Sequence, residues 1–296
     1  MKNLCQQIYL ERLNNNLYSE YVSNNLKYCL IKEIIQENLL CGLSRNNFFR
    51  KTNFNGGTAL RLFYGLDRFS EDLDFSVKTG VTDFDVKEYI DGLRRELESS
   101  GLQNEIVVKS EHSDKLQRIF VNFPAYLTYG EAFGDKMLVE TVQQNQKIKI
   151  KIEVDTQIPE FAVSRNNYYF SPFPFEVSIY DEGTLFACKI GAVLGRNRKT
   201  NVKGRDFYDY VFYISRGSIP NMKCLQSVLE MDNIKIHGEI NRGVLVKLLC
   251  DKFNSIDYKI AKNDVMPLIV DTRKLDVWNA EFFSAITENN LMKSLL

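Results

Sequence analysis

A strict alternation of polar and apolar side chains over residues 147–155 constrains the fold more than any other feature of the chain. The apolar positions are Ile148, Ile150, Ile152 and Val154, and the polar positions are Lys147, Lys149, Lys151, Glu153 and Asp155. Because successive side chains of a β-strand point to opposite faces, the segment is predicted to form a strand with one buried apolar face. We expect its three lysines to face solvent.

Hydrophobic spacing elsewhere indicates an α+β organisation. Strand-like patterns cover residues 48–54, 73–77, 106–108, 119–123 and 148–154. Helical spacing covers residues 4–40, 58–64, 83–99, 182–194, 206–214, 244–253 and 277–286. We therefore expect two domains, an α/β core with an N-terminal helical segment over residues 1–180 and a mainly helical domain over residues 181–296.

The charge balance excludes one class of function. The 296 residues contain 38 Lys+Arg and 38 Asp+Glu, so the formal net charge is zero. A protein that coats nucleic acid through bulk electrostatics needs an excess of Lys and Arg, and this chain has none. A local basic patch remains compatible with the balance.

The cysteines and the apolar segments indicate in which cellular compartment the protein is expected. The six cysteines form no Cys-x-x-Cys pair and only two histidines accompany them, which argues against structural zinc. No window approaches roughly 18 uninterrupted apolar residues, and the N-terminal residues lack the apolar core of a signal peptide. We expect a cytoplasmic protein with reduced thiols and no membrane partner.

Gly56 and Gly57 lie between a predicted strand and a predicted helix that begins at Thr58. Glycines let the backbone turn tightly against a ligand, and the free N–H groups of the following helix bind phosphate oxygens. Asp72 and Asp74 are two residues apart on the next predicted strand, so both carboxylates face the same side. A bare Asp-x-Asp is more often a solvated strand face. With the glycine pair upstream, it suggests Mg²⁺-dependent phosphoryl or nucleotidyl transfer.

A third carboxylate would complete such a site. Glu153 and Asp155 both lie on the polar face of the alternating strand, and either reaches Asp72 and Asp74 if the two strands are neighbours. The sequence leaves open whether these carboxylates reach the aspartates or face solvent, and which of the two would complete the site.

Charged residues continue beyond the predicted core. Lys189 lies in an otherwise apolar helix, where its ammonium either reaches solvent or extends into a phosphate pocket. Asp206 and Asp209 share a face of the next helix, and pairing with Lys189 or Arg205 is their expected role. Five cations fall within residues 196–205, in a loop that is either simply solvated or holds a polyanion such as RNA.

Taken together, these segments resemble the AbiEii/AbiGii toxin family, a bacterial branch of the polymerase-β-like nucleotidyltransferase superfamily. The resemblance covers about residues 45–215. It is carried by Gly56-Gly57-Thr58-Ala59-Leu60, Arg68-Phe69-Ser70-Glu71-Asp72-Leu73-Asp74-Phe75, Lys151-Ile152-Glu153-Val154, residues 185–189, and Gly204-Arg205-Asp206-Phe207-Tyr208-Asp209. Fourteen residues separate Gly57 from Asp72, a longer gap than in the wider superfamily, and the family's own Arg-x-Ser insert accounts for it.

The resemblance implies a polymerase-β-like nucleotidyltransferase core with a mixed sheet, preceded by helices and followed by a mainly helical domain. The implied nucleotide-binding residues are Gly56, Gly57, Thr58, Ser70 and Lys189. The implied ligands of Mg²⁺ or Mn²⁺ are Asp72, Asp74 and Glu153, and these three act in catalysis together with Lys189 and Asp206. The cations expected to steer an RNA acceptor are Arg196, Arg198, Lys199 and Arg205.

Members of this family act as toxins of toxin–antitoxin or phage-defence operons, and some modify the acceptor end of tRNA. The resemblance therefore implies transfer of a nucleoside monophosphate from an NTP to an acceptor, the 3′ end of tRNA, with a cognate antitoxin as partner. Two alternatives stay open. One is modification of a small molecule or a protein, and the other is a non-catalytic pocket that holds a nucleotide or a partner protein.

Overall fold

The computed structural model describes residues 3–14, 23–110, 114–195, 202–236 and 238–291. Over these residues the chain divides into two compact units. The first unit contains the described residues up to Phe63, together with Phe69–Ile158 and Ser164–Ile179. The second unit contains Tyr64–Arg68, Pro159–Val163 and the described residues from Tyr180 onward.

In the part of the chain that the structure describes, the first unit is built on a mixed sheet of seven strands. These are β1 (Thr52–Asn55), β2 (Leu73–Val77), β3 (Glu105–Val108), β4 (Leu116–Pro124), β5 (Lys147–Asp155), β6 (Ser164–Tyr169) and β7 (Phe175–Tyr180). Their order in the sheet is β3-β4-β5-β2-β1-β7-β6. β2 therefore lies at the centre, parallel to β5 on one side and antiparallel to β1 on the other.

Helices accompany the sheet in the first unit. They are α1 (Leu4–Asn14), α2 (Asn24–Arg45), α3 (Phe48–Lys51), α4 (Gly56–Tyr64), α5 (Ile90–Ser99), α6 (Ala125–Leu127) and α7 (Lys136–Glu140). A 3-10 turn over Val86–Tyr89 precedes α5, and a π-helical turn over Thr128–Ala132 follows α6. The mixed sheet with its helices confirms the predicted α+β class.

The second unit is helical in its described part. Its helices are α8 (Glu182–Gly195), α9 (Gly204–Ser215), α10 (Met222–Met231), α11 (Arg242–Phe253), α12 (Tyr258–Val265) and α13 (Ala280–Leu291). Short 3-10 turns cover Met266–Leu268 and Thr272–Leu275. Aromatic rings from several of these helices meet in its core, where Phe283 contacts Phe207, Phe253 and Trp278.

The alternating segment forms β5, as its pattern predicts. Its four apolar side chains are at most 1% exposed, and they contribute to the core on one face of the sheet. On the other face Lys147 and Lys149 are exposed, as expected, whereas Lys151 is half-buried. The expectation of a solvent-facing side chain is therefore wrong for Lys151.

The strand predicted over residues 48–54 is wrong in its first half. Phe48–Lys51 forms the short helix α3, and the strand begins only at Thr52. Phe48 and Phe49 are adjacent and both buried, so their burial does not follow the one-sided alternation of a half-exposed strand. The helix predicted over residues 83–99 also begins later, because Asp85 caps a 3-10 turn before α5 starts at Ile90.

Two further observations concern membranes and thiols. None of the helices in the described ranges combines the length and the apolar character needed to cross a bilayer. All six cysteines lie in these ranges and are free thiols, and Cys5, Cys29, Cys41 and Cys224 are buried.

Candidate active site

The turn between β1 and α4 is shaped by Gly56. Its φ angle is +74°, in the left-handed region that favours glycine. A Cβ atom at this position would lie 2.3 Å from Oδ2 of Asp74. The backbone of the turn is therefore packed directly against the Asp74 carboxyl group, at a distance that only glycine permits.

The first turn of α4 is tied to the residue that precedes β2. Thr58 is 1% exposed, and its hydroxyl donates a hydrogen bond to the backbone carbonyl of Asp72. Gly57, between Gly56 and Thr58, is buried. The glycine turn and the Asp-x-Asp segment thus form one structural unit, although fourteen residues separate Gly57 from Asp72 in the sequence.

Strand register decides which carboxylate lies beside the aspartates. Asp74 of β2 pairs with Glu153 of the parallel strand β5, and Ser76 pairs with Asp155. Paired residues on neighbouring strands share a face, so Glu153 lies on the face of Asp72 and Asp74 and next to Asp74. Asp155 lies two positions further along and accepts a hydrogen bond from the Gln157 backbone N–H at 2.8 Å. Glu153 is therefore the better-placed candidate.

Lys151 forms ion pairs with both Asp72 and Glu153. Its ammonium lies 3.2 Å from Oδ2 of Asp72 and 2.7 Å from Oε2 of Glu153, and Arg118 Nε lies 2.6 Å from Oε1 of Glu153. Burial alone would raise the pKa of Glu153, but hydrogen bonds from Lys151 and Arg118 hold that pKa below its ordinary value. Sequence reasoning assigned Lys151 no role in the site, although Lys151 lies two residues before Glu153 on the same strand face and within a segment that carries the family resemblance.

The donor set fits a divalent cation that arrives with a nucleotide. No three His, Cys, Asp or Glu side chains of the described residues are grouped closely enough to hold a metal by themselves. Mg²⁺ bound with a nucleotide usually takes one or two protein carboxylates and completes its shell with phosphate oxygens and water. The pair Asp72 and Asp74 meets that requirement, and the side chain of Asp72 is 31% exposed.

Ser70, the remaining predicted residue of this unit, lies two residues before Asp72. It is half-buried, and its backbone carbonyl accepts a hydrogen bond from Nε2 of Gln36 at 3.1 Å. The first unit therefore contains Gly56, Gly57, Thr58, Ser70, Asp72, Asp74 and Glu153.

A second charged cluster lies in the helical unit. The Lys189 ammonium of α8 is 2.9 Å from Oδ1 of Asp206 and 2.8 Å from Oδ2 of Asp209, both on α9. Arg68 contacts the same Asp209 through two hydrogen bonds of 2.6 and 2.7 Å. Arg68 is 1% exposed and both aspartates are 0% exposed, so two cations and two anions neutralise one another in the core.

The expected partnership of Asp206 and Asp209 with Lys189 is confirmed. Arg205 instead lies near Asp264, with 3.9 Å between its Nε and Oδ2. Arg68 was not singled out from the sequence. A buried arginine needs a carboxylate partner, but Asp209 is 141 residues away along the chain and no local pattern connects the two.

The predicted RNA-contacting cations fall into two groups. Arg196, Arg198 and Lys199 lie outside the described residues. Arg205 is described, and its side chain is 30% exposed beside Asp264. Its role toward RNA remains a prediction.

Comparisons with known proteins identify the family. The family model described as the nucleotidyl transferase AbiEii toxin of a type IV toxin–antitoxin system matches residues 38–283. That range includes the glycine turn, the Asp-x-Asp strand, Glu153 and the Lys189 cluster, and it confirms the resemblance seen in the sequence. A comparison with curated protein sequences finds no match.

Solved structures provide two distant likenesses. JHP933 from Helicobacter pylori is 18% identical with a TM-score of 0.48, over 88% of this chain and 94% of that one. MenT4, a nucleotidyltransferase toxin from Mycobacterium tuberculosis, is 15% identical with a TM-score of 0.47, over 98% of this chain and 97% of that one. The assignment rests on the family model, which spans well over half of the sequence. The chain belongs to the AbiEii nucleotidyltransferase toxin family of type IV toxin–antitoxin systems.

Proposed function

We propose that this toxin transfers a nucleoside monophosphate from an NTP to the 3′-hydroxyl of an RNA, with tRNA as the acceptor and Mg²⁺ as the metal. The carrying observation is that the Gly56 turn, where α4 begins, packs against the carboxyl group of Asp74. This arrangement places a helix N-terminus, which favours phosphate, beside the Asp72 and Asp74 pair, which favours a cation, as nucleotidyl transfer requires.

In the proposed reaction the 3′-oxygen of the acceptor attacks the α-phosphorus. The new O–P bond forms as the bond to pyrophosphate breaks, and the hydroxyl proton leaves to water. Asp72 and Asp74 would hold Mg²⁺, and the bound cation would supply positive charge that offsets the charge of the leaving pyrophosphate. The backbone at Gly56 and Gly57 and the hydroxyl of Ser70 hold and orient the triphosphate.

Glu153 and Lys151 act together in this proposal. We assign Glu153 to holding Lys151 beside Asp72, because the Lys151 ammonium lies 2.7 Å from Oε2 of Glu153 and 3.2 Å from Oδ2 of Asp72. Lys151 then supplies a positive charge next to the bound phosphates. Lys189 and Asp206 form the second functional pair that family membership suggests, and Arg196, Arg198, Lys199 and Arg205 are proposed to attract the acceptor.

The substitution Asp72→Asn tests the metal site. It removes one charge without changing the size of the side chain, and we expect it to lower transfer of labelled nucleotide by at least about a hundredfold. The assay uses each labelled NTP with total bacterial RNA, then with purified tRNA that has or lacks its terminal CCA. The melting temperature of each variant checks that the fold is intact.

Asp155→Asn is the matched control. Asp155 lies on the same strand as Glu153 but beside Ser76, so its replacement should change transfer less than about twofold. Undiminished transfer by Asp72→Asn would exclude the metal assignment. Labelled protein or small molecule without labelled RNA would establish the alternative acceptor class, and nucleotide retention without product would establish a binding role. A toxin that acts in phage defence should in addition reduce plaque formation only when Asp72 is intact.

A further inference from the structure

Helix α2 buries an unusual number of polar side chains. Lys32, Glu33, Gln36, Glu37 and Asn38 are all at most 7% exposed. Burial of polar groups is unfavourable unless each finds a partner, so their partners show what the helix is built to hold. Glu37 pairs with Arg12 of α1 at 2.7 Å, and Asn38 donates to the Ile34 carbonyl of its own helix at 2.8 Å.

The other three polar residues contact residues 69–71, either directly or through Arg61. Gln36 donates from Nε2 to the Ser70 carbonyl at 3.1 Å, and the Lys32 ammonium lies 3.6 Å from Oε1 of Glu71. Glu33 pairs with Arg61 of α4, whose guanidinium lies 4.0 Å from the centre of the Phe69 ring. Three consecutive residues, 69 to 71, are thus each held by α2, directly or through Arg61.

This segment leads directly into the candidate active site. Asp72 follows Glu71, and Ser70 is the residue proposed to contact the triphosphate. A loop residue that binds phosphate is more effective when its backbone is already fixed, because less conformational freedom is then lost on binding. Gln36 is 1% exposed and fixes the Ser70 peptide group through its carbonyl oxygen.

We propose that Gln36 is a positioning residue for nucleotide binding, because its hydrogen bond to the Ser70 carbonyl fixes the Ser70 peptide group. Lys32 and Arg61 assist by contacting the neighbouring residues Glu71 and Phe69. This inference rests on the proposed function of the site. The AbiEii match begins at residue 38, so Lys32, Glu33 and Gln36 lie outside the segment that defines the family. The device therefore belongs to the part of α2 that precedes the family match.

The chain offers a matched control for this role. Gln36 and Asn38 are both buried amides on α2, yet Gln36 contacts the Ser70 carbonyl whereas Asn38 contacts its own helix and the thiol of Cys5. Replacing either amide by an apolar side chain of similar size leaves a comparable loss of hydrogen bonding in the core. Only the change at Gln36 releases the Ser70 carbonyl.

The test compares Gln36→Met with Asn38→Leu in the full chain. For Gln36→Met we expect the KM for the NTP to rise about three- to tenfold with kcat changed less than twofold, the size expected for one hydrogen bond to a binding loop. For Asn38→Leu we expect both constants to stay within twofold of wild type. Equal effects of the two substitutions, or a lower melting temperature of Gln36→Met with an unchanged KM, would overturn the proposal.

A milder variant and a measurement without catalysis keep the test decisive. Gln36→Asn stays polar but is one methylene too short to reach Ser70, so it should raise KM even if Gln36→Met does not fold. Hydrogen–deuterium exchange of the amides of residues 69–72, measured without nucleotide, should be faster in both Gln36 variants than in wild type or Asn38→Leu.

These readouts separate two kinds of failure. If wild-type protein transfers no nucleotide, the proposed function is wrong, and the exchange comparison still decides whether Gln36 holds the loop. If wild type transfers nucleotide and Asp72→Asn does not, unchanged KM and exchange in the Gln36 variants would reject the positioning role alone.

Discussion

At the scale of single residues, Arg68 and Asp209 form a buried ion pair in which the loss of either charge is expected to destabilise the fold. Two hydrogen bonds join them, and the Asp209 carboxylate also lies 2.8 Å from the Lys189 ammonium. Charges that are taken out of water need partners, and removal of one partner exposes the other to the full unfavourable desolvation. Loss of one charge should therefore lower the free energy of unfolding more than the joint loss of an oppositely charged pair.

Asp209→Leu is therefore expected to be more destabilising than the double change Arg68→Met with Asp209→Leu. Loss of the carboxylate alone should lower the free energy of unfolding by about 3–5 kcal/mol, and the double variant should recover at least about half of that. Urea denaturation of wild type, both single variants and the double variant gives the four values of the cycle. Additive losses would show that the two residues do not depend on each other.

The residues of the candidate site could be predicted from the sequence where they form a local pattern, but not where their place depends on contacts between distant strands. The glycine turn and the Asp-x-Asp pair each lie within a few neighbouring positions, so their backbone geometry follows from the sequence. The choice between Glu153 and Asp155 depends on the register between β2 and β5, which are separated by about 70 residues of chain. The burial of Lys151 has the same long-range origin, since Asp72 lies on the other strand of that pair.

At the scale of elements, Gly204 marks a helix contact with no room for a side chain. A Cβ atom on this first residue of α9 would lie 1.7 Å from the backbone oxygen of Ala261 in α12. Backbone cannot move aside as the end of a flexible side chain can, so one of the two helices would have to shift. The position directly precedes Arg205 and Asp206, and such a shift would disturb the charged cluster.

Gly204→Ala should consequently lower the free energy of unfolding by about 1–3 kcal/mol, although alanine is the better helix former. Gly243→Ala serves as the control because its added Cβ would lie 3.4 Å from the Asn241 side chain, an ordinary contact. For that variant we expect no loss and a gain of up to about 1 kcal/mol. Thermal or urea unfolding checks both, and equal stability of the two variants would contradict the tight contact.

Elements with a clear hydrophobic pattern were predictable from the sequence, whereas the strands β6 and β7 were not predicted. β5 follows its pattern because it packs one clear apolar face, and α8 follows its pattern because most of its residues are apolar. Residues 48–51 form a helix in which the adjacent rings of Phe48 and Phe49 both pack against Phe75, a contact that the local sequence does not reveal. β6 was missed because an edge strand whose residues are mostly exposed carries little hydrophobic signal.

At the scale of the whole molecule, the balance of 38 cations and 38 anions limits how the protein meets nucleic acid. Many anions are already paired within the described residues, as in the Lys151 and Lys189 clusters. Attraction to a polyanion must therefore come from a local group of cations rather than from the total charge.

Duplex DNA of arbitrary sequence should bind weakly for this reason. At about 150 mM salt we expect a Kd weaker than about 10 µM, with a shallow dependence on salt because few counterions are released. Fluorescence anisotropy with a labelled duplex, titrated at several salt concentrations, measures both quantities. Submicromolar binding with a steep salt slope would show a large basic surface that the composition does not predict.

The central position of β2 in the sheet affects which parts of the protein can vary in sequence without disturbing the candidate site. β2 has β5 and β1 as neighbours, whereas β3 and β6 lie at the two edges of the described sheet. Tyr168 of the edge strand β6 is 59% exposed and lies three strands away from β2, so a reporter group attached there leaves the neighbours of Asp74 unchanged. The same separation lets the side chains of the edge strands vary while Asp74 keeps its neighbours.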